Sequence, residues 1–192
     1  MHVREFIEKN YPEYYSWNNY PADSTAAFCK TSEKWGVFSN FAQTPIVVNG
    51  VSFYSAESLF QTMKFTDAEA RKTVSSIKGR GLKMKAKHFE KTVGARTDWG
   101  NIIVDVLKFC LVMKYRQSET FREELERSRG LSIVEDQTTF RQPVNTYGVK
   151  LSADGKEYSG PNLMGRLLME LRDKRDLEYT LPDDITDFSD LR

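Results

Sequence analysis

Residues that would mark a metalloprotein, a membrane protein or a strongly basic nucleic-acid binder are scarce in this sequence. Two cysteines and two histidines occur, and Cys29 and Cys110 match no metal-ligand spacing, so we expect reduced thiols and no metal. No apolar run approaches the roughly 18 residues that span a bilayer, and charges interrupt the first ten residues where a signal peptide is apolar. The net charge of +1 gives no large field that favours nucleic acid or a membrane. These absences predict a cytoplasmic protein without a membrane partner.

The composition is that of one ordinary globular domain. Hydrophobic residues make up 40% and charged residues 29% of 192 residues, enough for one substantial core. We predict a mainly helical α+β single domain, with three or four short strands and five to seven helices. We divide the chain into an aromatic-rich N-terminal extension (1–34), a central domain (35–175) and an acidic C-terminal tail (176–192), loosely docked from Pro182 onward.

Periodicity and turn residues place the elements. Asn49-Gly50 is a preferred two-residue hairpin turn, and short apolar runs flank it. The other predicted strands cover 131–135 and 144–149. The predicted helices, besides the one after the hairpin, cover about 2–10, 67–77, 82–92, 99–116 capped by Asp98, 119–128, and a last one with Pro161 in its first turn.

A polar stripe on the helix after the hairpin is the main candidate site. Ser55 stands at the expected N-cap, and Glu57, Gln61 and Lys64 follow at i, i+4 and i+7 on one face. Two interpretations stay open, a solvated face and the wall of a pocket. A carboxylate, an amide and an ammonium next to core residues suit catalysis in the second case.

Two further segments carry weaker signals for phosphate. Asn162 and Arg166 share one face at the start of the last helix, where free N–H groups and the dipole favour anions. The helix over 82–92 is rich in lysine, which fits either a solvated face or a phosphate site. Trp99 and Tyr147 are candidates for stacking on a base, or core aromatics.

Together these segments resemble the NADAR, or YbiA-like, family over about residues 35–173. The matching residues are Phe38-Ser39-Asn40-Phe41, Gly50, Tyr54-Ser55-Ala56-Glu57, Gln61-Thr62-Met63-Lys64-Phe65, Trp99, Met113-Lys114-Tyr115-Arg116-Gln117, Leu125, Val134-Glu135, and the run from Gly160 to Arg172. One position departs from the family pattern. The family usually has an Asp shortly before Trp-Gly, whereas this chain has Asn145 before Tyr147-Gly148, with Asp136 and Asp154 elsewhere in the loops.

The resemblance implies an N-glycosidase that hydrolyses a bond between ribose and nitrogen. Two substrates are associated with the family: ADP-ribose attached to guanine bases of DNA or RNA, and phosphoribosylamino-pyrimidine intermediates of riboflavin biosynthesis. No cofactor is needed for this chemistry. The oligomeric state stays open.

We assign roles from the chemistry of an oxocarbenium-like transition state. Glu57 stabilises the positive charge and activates water. Lys64 is either a nucleophile that forms a Schiff base or a phosphate ligand. The expected substrate-binding residues are Ser39, Asn40, Phe41, Gln61, Trp99, Tyr147, Gly148, Asn162 and Arg166.

Two hypotheses from other classes remain. The missing acid before Tyr147 fits a module that binds ADP-ribose or a related nucleotide without cleaving it. The aromatic N-terminal segment fits a subunit that binds a protein partner.

Overall fold

The computed structural model describes residues 3–79 and 81–192, without the side chains of residues 3, 4 and 6. The α-helices are α1 (Val3–Asn10), α2 (Pro12–Tyr15), α3 (Ala56–Met63), α4 (Ala68–Ser76), α5 (Gly81–Thr92), α6 (Trp99–Gln117), α7 (Glu119–Arg127) and α8 (Leu163–Lys174). The strands are β1 (Asn18–Pro21), β2 (Thr25–Phe28), β3 (Ile46–Val48), β4 (Val51–Phe53), β5 (Ser132–Glu135), β6 (Lys150–Leu151) and β7 (Glu157–Gly160). The mainly helical α+β prediction is confirmed.

The chain forms two compact units, each built from two segments. The first unit comprises Met1–Ser39 and Thr120–Leu177, and the second comprises Asn40–Glu119 and Glu178–Arg192. The division of the chain at residues 34 and 175 stays a prediction. In the described parts of the chain, no helix is both long enough and apolar enough to cross a membrane.

Short strands and helix α8 build the first unit. Strands β1, β7 and β6 form an antiparallel sheet in that order, and β2 pairs with β5 in parallel. Helix α8 packs on β5, and Gly165 permits this approach because a Cβ there would collide with the Ile133 carbonyl. The sequence predicted none of the strands β1, β2, β6 and β7. It placed one strand at 144–149, where only Val149 forms an isolated bridge, with Asp136.

In the second unit, a β-hairpin precedes four helices along the chain. Strands β3 and β4 pair with each other and are connected by a tight turn at Asn49 and Gly50. The φ angles of these two residues, 47° and 81°, suit the predicted hairpin turn. Helix α3 packs on α4, α5 and α6. The carboxyl-terminal residues also belong here, and the prediction of a loosely docked tail is wrong because Ile185 and Phe188 are buried.

Candidate active site

The start of helix α3 is held by two hydrogen bonds. The Ser58 N–H donates to Oγ of Ser55 at 3.2 Å, so the predicted N-cap is confirmed. The Glu57 N–H donates to the carbonyl of Asn40 at 2.9 Å. The second bond joins the Ser39-Asn40-Phe41 loop to the first turn of the helix, and it fixes the backbone from which the Glu57 side chain projects.

The predicted polar stripe is buried, so the solvated-face interpretation is wrong. Glu57 and Gln61 are each 7% exposed, and Nε2 of Gln61 donates to Oε1 of Glu57 at 2.8 Å. Burial raises the pKa of the Glu57 carboxyl, while the Gln61 hydrogen bond and the ammonium groups of Lys83 and Lys64 pull it down. A carboxyl in this setting is suited to proton transfer and to facing a developing positive charge.

Helix α5 places a second pair of charges beside the stripe. Nζ of Lys64, on a side chain only 12% exposed, lies 2.7 Å from Oε2 of Glu90. Lys83, seven residues before Glu90, acts electrostatically on Glu57. Along the chain, Glu57 comes before Lys64 at α3, whereas Lys83 comes before Glu90 on α5. The acidic and basic residues therefore follow in opposite order on the two helices.

Aromatic and sulfur groups pack behind the stripe. The rings of Phe60 and Trp99 meet edge to face at 5.1 Å, and both residues are buried. This packing favours the core interpretation of Trp99 over stacking on a base. Burial raises the pKa of the Cys110 thiol well above its ordinary value, and the Glu57 carboxylate raises it further.

The start of α6 is organised by Arg96. Asp98 is the N-cap residue but makes no side-chain capping bond, contrary to the prediction. Its carboxylate instead accepts from Nε of Arg96 at 2.5 Å and from a terminal nitrogen at 3.0 Å. These bonds lower the pKa of Asp98.

The Ser39-Asn40-Phe41 loop contributes one polar atom with open capacity. Among the described residues, no group donates a hydrogen bond to the buried Oδ1 of Asn40. A buried acceptor of this kind costs free energy unless a ligand or water satisfies it. Phe41 is half-buried, while Ser39 is buried and belongs to the first unit.

The side chain of Asn162 is bonded to backbone, which disfavours its predicted role in phosphate binding. Its side chain is fully buried, with Nδ2 donating to the Ile133 carbonyl at 2.9 Å and Oδ1 accepting from the Glu135 N–H at 3.3 Å. Asn162 has a left-handed backbone (φ 56°) and stands at the N-cap position of α8 without a side-chain capping bond. The helix begins at Leu163, so Pro161 lies outside its first turn. The amide therefore ties α8 to β5.

The contacts of Arg166 also disfavour its predicted role in phosphate binding, which stays a prediction. Its guanidinium donates to the carbonyls of Glu13 and Ser16 and, at 3.0 Å, to Oγ of Ser16. It also donates to the side-chain oxygen of Asn18 at 2.9 Å. Arg166 thus holds residues 13–18 onto α8, a role in which backbone carbonyls take the place expected for phosphate oxygens.

Tyr147 and Gly148 form part of a turn beside β5. Asn145, at the family's Asp position, accepts from Nε2 of Gln137 at 2.7 Å and from the Tyr147 N–H at 2.9 Å. A Cβ at Gly148 would approach the Glu135 carbonyl to 2.5 Å, so glycine allows the close contact. Tyr147 is half-buried. This turn gives Gly148 a packing role, and the substrate-binding role of Tyr147 stays a prediction.

The sequence interpretation missed several groups around the stripe. Glu90 and Lys83 had a usable signal, because their spacing of seven repeats that of Glu57 and Lys64 with the charges reversed. Arg96 had little, because only Asp98 is near it in sequence, whereas Asp184 and the Lys64 carbonyl are distant. Lys114, in a segment matching the family, is fully buried, and burial lowers its pKa to about 7.

The predicted site residues fall into two sets. Those in the second unit are Asn40, Phe41, Glu57, Gln61, Lys64 and Trp99, and those in the first are Ser39, Tyr147, Gly148, Asn162 and Arg166. The second-unit set combines a buried carboxyl, an ion-paired ammonium and an open amide oxygen, which suits stabilisation of a cationic sugar. Within residues 3–79 and 81–192, no cluster of three His, Cys, Asp or Glu side chains could hold a metal ion.

The chain is similar to known proteins in both sequence and structure. Residues 27–175 match the profile of the NADAR domain. N-glycosidase YbiA from Escherichia coli (strain K12) is 28% identical over 156 residues, which cover 81% of this chain and 91% of that protein. Its NMR structure is similar with a TM-score of 0.62, covering 80% of this chain and 85% of that one.

Two longer proteins are also similar. A riboflavin biosynthesis protein from Vibrio vulnificus is 24% identical, covering 85% of this chain and 41% of that protein. The chloroplastic riboflavin biosynthesis protein PYRR from Zea mays is 30% identical, covering 76% of this chain and 24% of that protein. With the profile matched over most of its length, the chain belongs to the NADAR domain family.

Proposed function

We propose that this chain is an N-glycosidase that hydrolyses a ribose–nitrogen bond, with Glu57 as its catalytic carboxylate. The observation that carries the proposal is the burial of Glu57 on α3, where Gln61 orients the carboxylate at 2.8 Å. The E. coli relative is named an N-glycosidase, and this chain spans 91% of it. The two findings support the same reaction class.

The chemistry assigns Glu57 two tasks. As the C1′–N bond breaks, its electron pair leaves with the base nitrogen, and positive charge builds on C1′ and the ring oxygen. The carboxylate faces this charge and accepts a proton from the attacking water, whose oxygen bonds to C1′. Glu57 then passes this proton to the base nitrogen, which restores the carboxylate and balances the reaction.

The pairing of Lys64 with Glu90 favours one of its two proposed roles. Nζ of Lys64 is held in an ion pair 2.7 Å from the Glu90 carboxylate, and an ammonium has no lone pair for attack on C1′. We therefore propose that Lys64 acts as a fixed positive charge that binds a substrate phosphate. The Schiff-base role requires that the pair with Glu90 first be broken.

Two other groups fit the ribosyl phosphate. The open Oδ1 of Asn40 can accept a hydrogen bond from a ribose hydroxyl, and the Asn40 carbonyl is already bonded to the Glu57 N–H. Lys83 is exposed and acts on Glu57, so it is our second candidate for the phosphate. It replaces Asn162 and Arg166 in that role.

For the substrate we propose ADP-ribose attached to guanine bases, so that the reaction reverses ADP-ribosylation of nucleic acid. The second candidate is a phosphoribosylamino-pyrimidine intermediate of riboflavin biosynthesis, which the names of the V. vulnificus and maize relatives favour. Both substrates present a ribose–nitrogen bond and a 5′-phosphate.

A non-catalytic nucleotide-binding module is the alternative function. It is favoured by Asn145, whose side-chain oxygen already accepts from Gln137 and Tyr147 where the family usually has an acid. In our proposal Glu57 suffices as the acid-base group. The two functions differ in whether product appears.

The test is a product assay with the full-length protein on both substrates. We expect release of ADP-ribose from an oligonucleotide that carries ADP-ribosylated guanine. Release only from the phosphoribosylamino-pyrimidine would keep the reaction class and change the substrate. Calorimetric binding of ADP-ribose with no product from either substrate would replace the enzyme by the binding module.

A further inference from the structure

The carboxyl-terminal segment 178–192 is anchored on the second unit by apolar contacts. Ile185 is 2% and Phe188 is 1% exposed. The Phe188 ring meets Phe53 at 4.9 Å, and the Arg71 guanidinium lies 5.3 Å from its centre. The segment therefore has its own apolar anchor on the hairpin.

Polar contacts fix the same segment along the hairpin and α4. Nδ2 of Asn49 donates to the Thr186 carbonyl at 2.8 Å, and Arg192 donates to the Asn49 carbonyl at 2.7 Å. Nε of Arg71 lies 3.1 Å from the Asp190 carboxylate. These contacts fix the backbone of residues 186–192 on the hairpin and α4, so Asp184 lies next to an immobilised segment.

Asp184 reaches the interior through Arg96. A terminal nitrogen of Arg96 donates to the two Asp184 oxygens at 3.2 and 3.4 Å. The Arg96 side chain is only 8% exposed, and it also holds Asp98. One guanidinium thus joins the segment to the N-terminus of α6.

Arg96 also contacts two elements of the candidate site directly. Its N–H donates to the Lys64 carbonyl at 2.9 Å, and its carbonyl accepts from the Trp99 N–H at 3.0 Å. Trp99 packs on Phe60 of α3. A shift of Arg96 would therefore move the end of α3 and the beginning of α6 together.

We propose that residues 178–192 act as a strap that positions Lys64 for catalysis, with Asp184 and Arg96 as its positioning residues. The strap lies beyond residues 27–175, where the family profile ends. The inference rests on the proposed function only for the role of Lys64. The Asp184 carboxylate is 67% exposed, so breaking its pair has little effect on global stability. Breaking the pair instead changes the position of Lys64, and catalytic rates are sensitive to such changes in geometry.

The test replaces Asp184 by Asn in the full chain, with Asp183→Asn as the matched control. Asp183 is the exposed neighbour, so both variants lose one negative charge at the same place. We expect Asp184→Asn to speed hydrogen exchange of the Arg96 amide and to lower kcat/KM, each about three- to fivefold. Asp184→Glu should restore kcat/KM to within about twofold, since it keeps the charge.

Exchange and turnover separate the strap from the proposed function. Equal exchange rates in Asp184→Asn and Asp183→Asn would overturn the strap, whatever the activity. Faster exchange with unchanged kcat/KM would overturn its positioning role. Full activity of Lys64→Met would instead refute the role of Lys64 in the proposed function, and the exchange result would still decide whether the strap holds Arg96.

Discussion

Replacing Lys64 by Arg distinguishes a fixed charge from a nucleophile. Nζ of Lys64 lies 2.7 Å from Glu90 on a nearly buried side chain, so a guanidinium at this position keeps both the charge and the ion pair. Arginine cannot form a Schiff base. We expect Lys64→Arg to keep kcat/KM within about tenfold of wild type, because the charge that meets the phosphate remains.

The magnitude for complete loss comes from Lys64→Met. Removing the charge that binds the substrate phosphate costs about 1.5–3 kcal/mol, or roughly 10–10² in kcat/KM. Steady-state kinetics on the ribosyl substrate, with Lys91→Arg as an exposed control, measures both variants. If Lys64→Arg were as inactive as Lys64→Met, and borohydride trapped a ribosyl adduct on wild-type Lys64, the fixed-charge role would be refuted.

Two further predictions concern groups away from the stripe. Arg166→Met should lower the free energy of unfolding by about 1–3 kcal/mol, because the carbonyls of Glu13 and Ser16 lose their donor, and it should leave KM unchanged. Urea unfolding, with Arg141→Met as the control, measures the loss of stability. A raised KM at unchanged stability would contradict the prediction. Burial lowers the pKa of Lys114 from 10.5 to about 7 in the folded protein. Between pH 7 and pH 10.5 the unfolded chain therefore binds more protons at Lys114 than the folded protein does, so the stability of the wild type rises with pH in this range. The stability of Lys114→Met relative to wild type should therefore be greatest below about pH 7 and fall towards pH 10, and a constant difference in urea unfolding would contradict the burial account.

The sequence was most informative where local periodicity decides the structure. The hairpin at Asn49-Gly50, the N-cap at Ser55 and the face shared by Glu57 and Gln61 follow from turn chemistry and the helical repeat. These signals lie within a few residues of one another. For that reason the prediction of α3 and its polar stripe needed no tertiary information.

The sequence was least informative where a partner lies far along the chain. Strand β1 (Asn18–Pro21) shows no clear alternation and exists because it pairs with β7. Arg166 has the chemistry of a phosphate ligand, yet its guanidinium is hydrogen-bonded to residues about 150 positions away in the sequence. Polar side chains near a helix N-terminus thus fit both a ligand and distant backbone, and only the tertiary structure separates the two.

The same limit explains the C-terminal residues. Ile185 and Phe188 stand among acidic residues without periodicity, so the composition predicts a loose tail. Their burial depends on the apolar surface offered by Phe53, more than a hundred residues earlier. Two apolar side chains and a few well-placed carboxylates are enough to fix a short segment once that surface exists.

The measurement that tests the account most directly compares Glu57→Gln with Glu69→Gln in hydrolysis of the ribose–nitrogen bond. Both glutamates lie in the first turn of a capped helix, α3 or α4, but Glu57 is buried and Glu69 is exposed. We predict that Glu57→Gln lowers kcat by about 10²–10⁴ while it stays folded, because the amide can still accept from Gln61 but cannot take a proton. Glu69→Gln should match wild type. Near-normal turnover by folded Glu57→Gln would contradict the central claim that α3 carries the catalytic carboxylate.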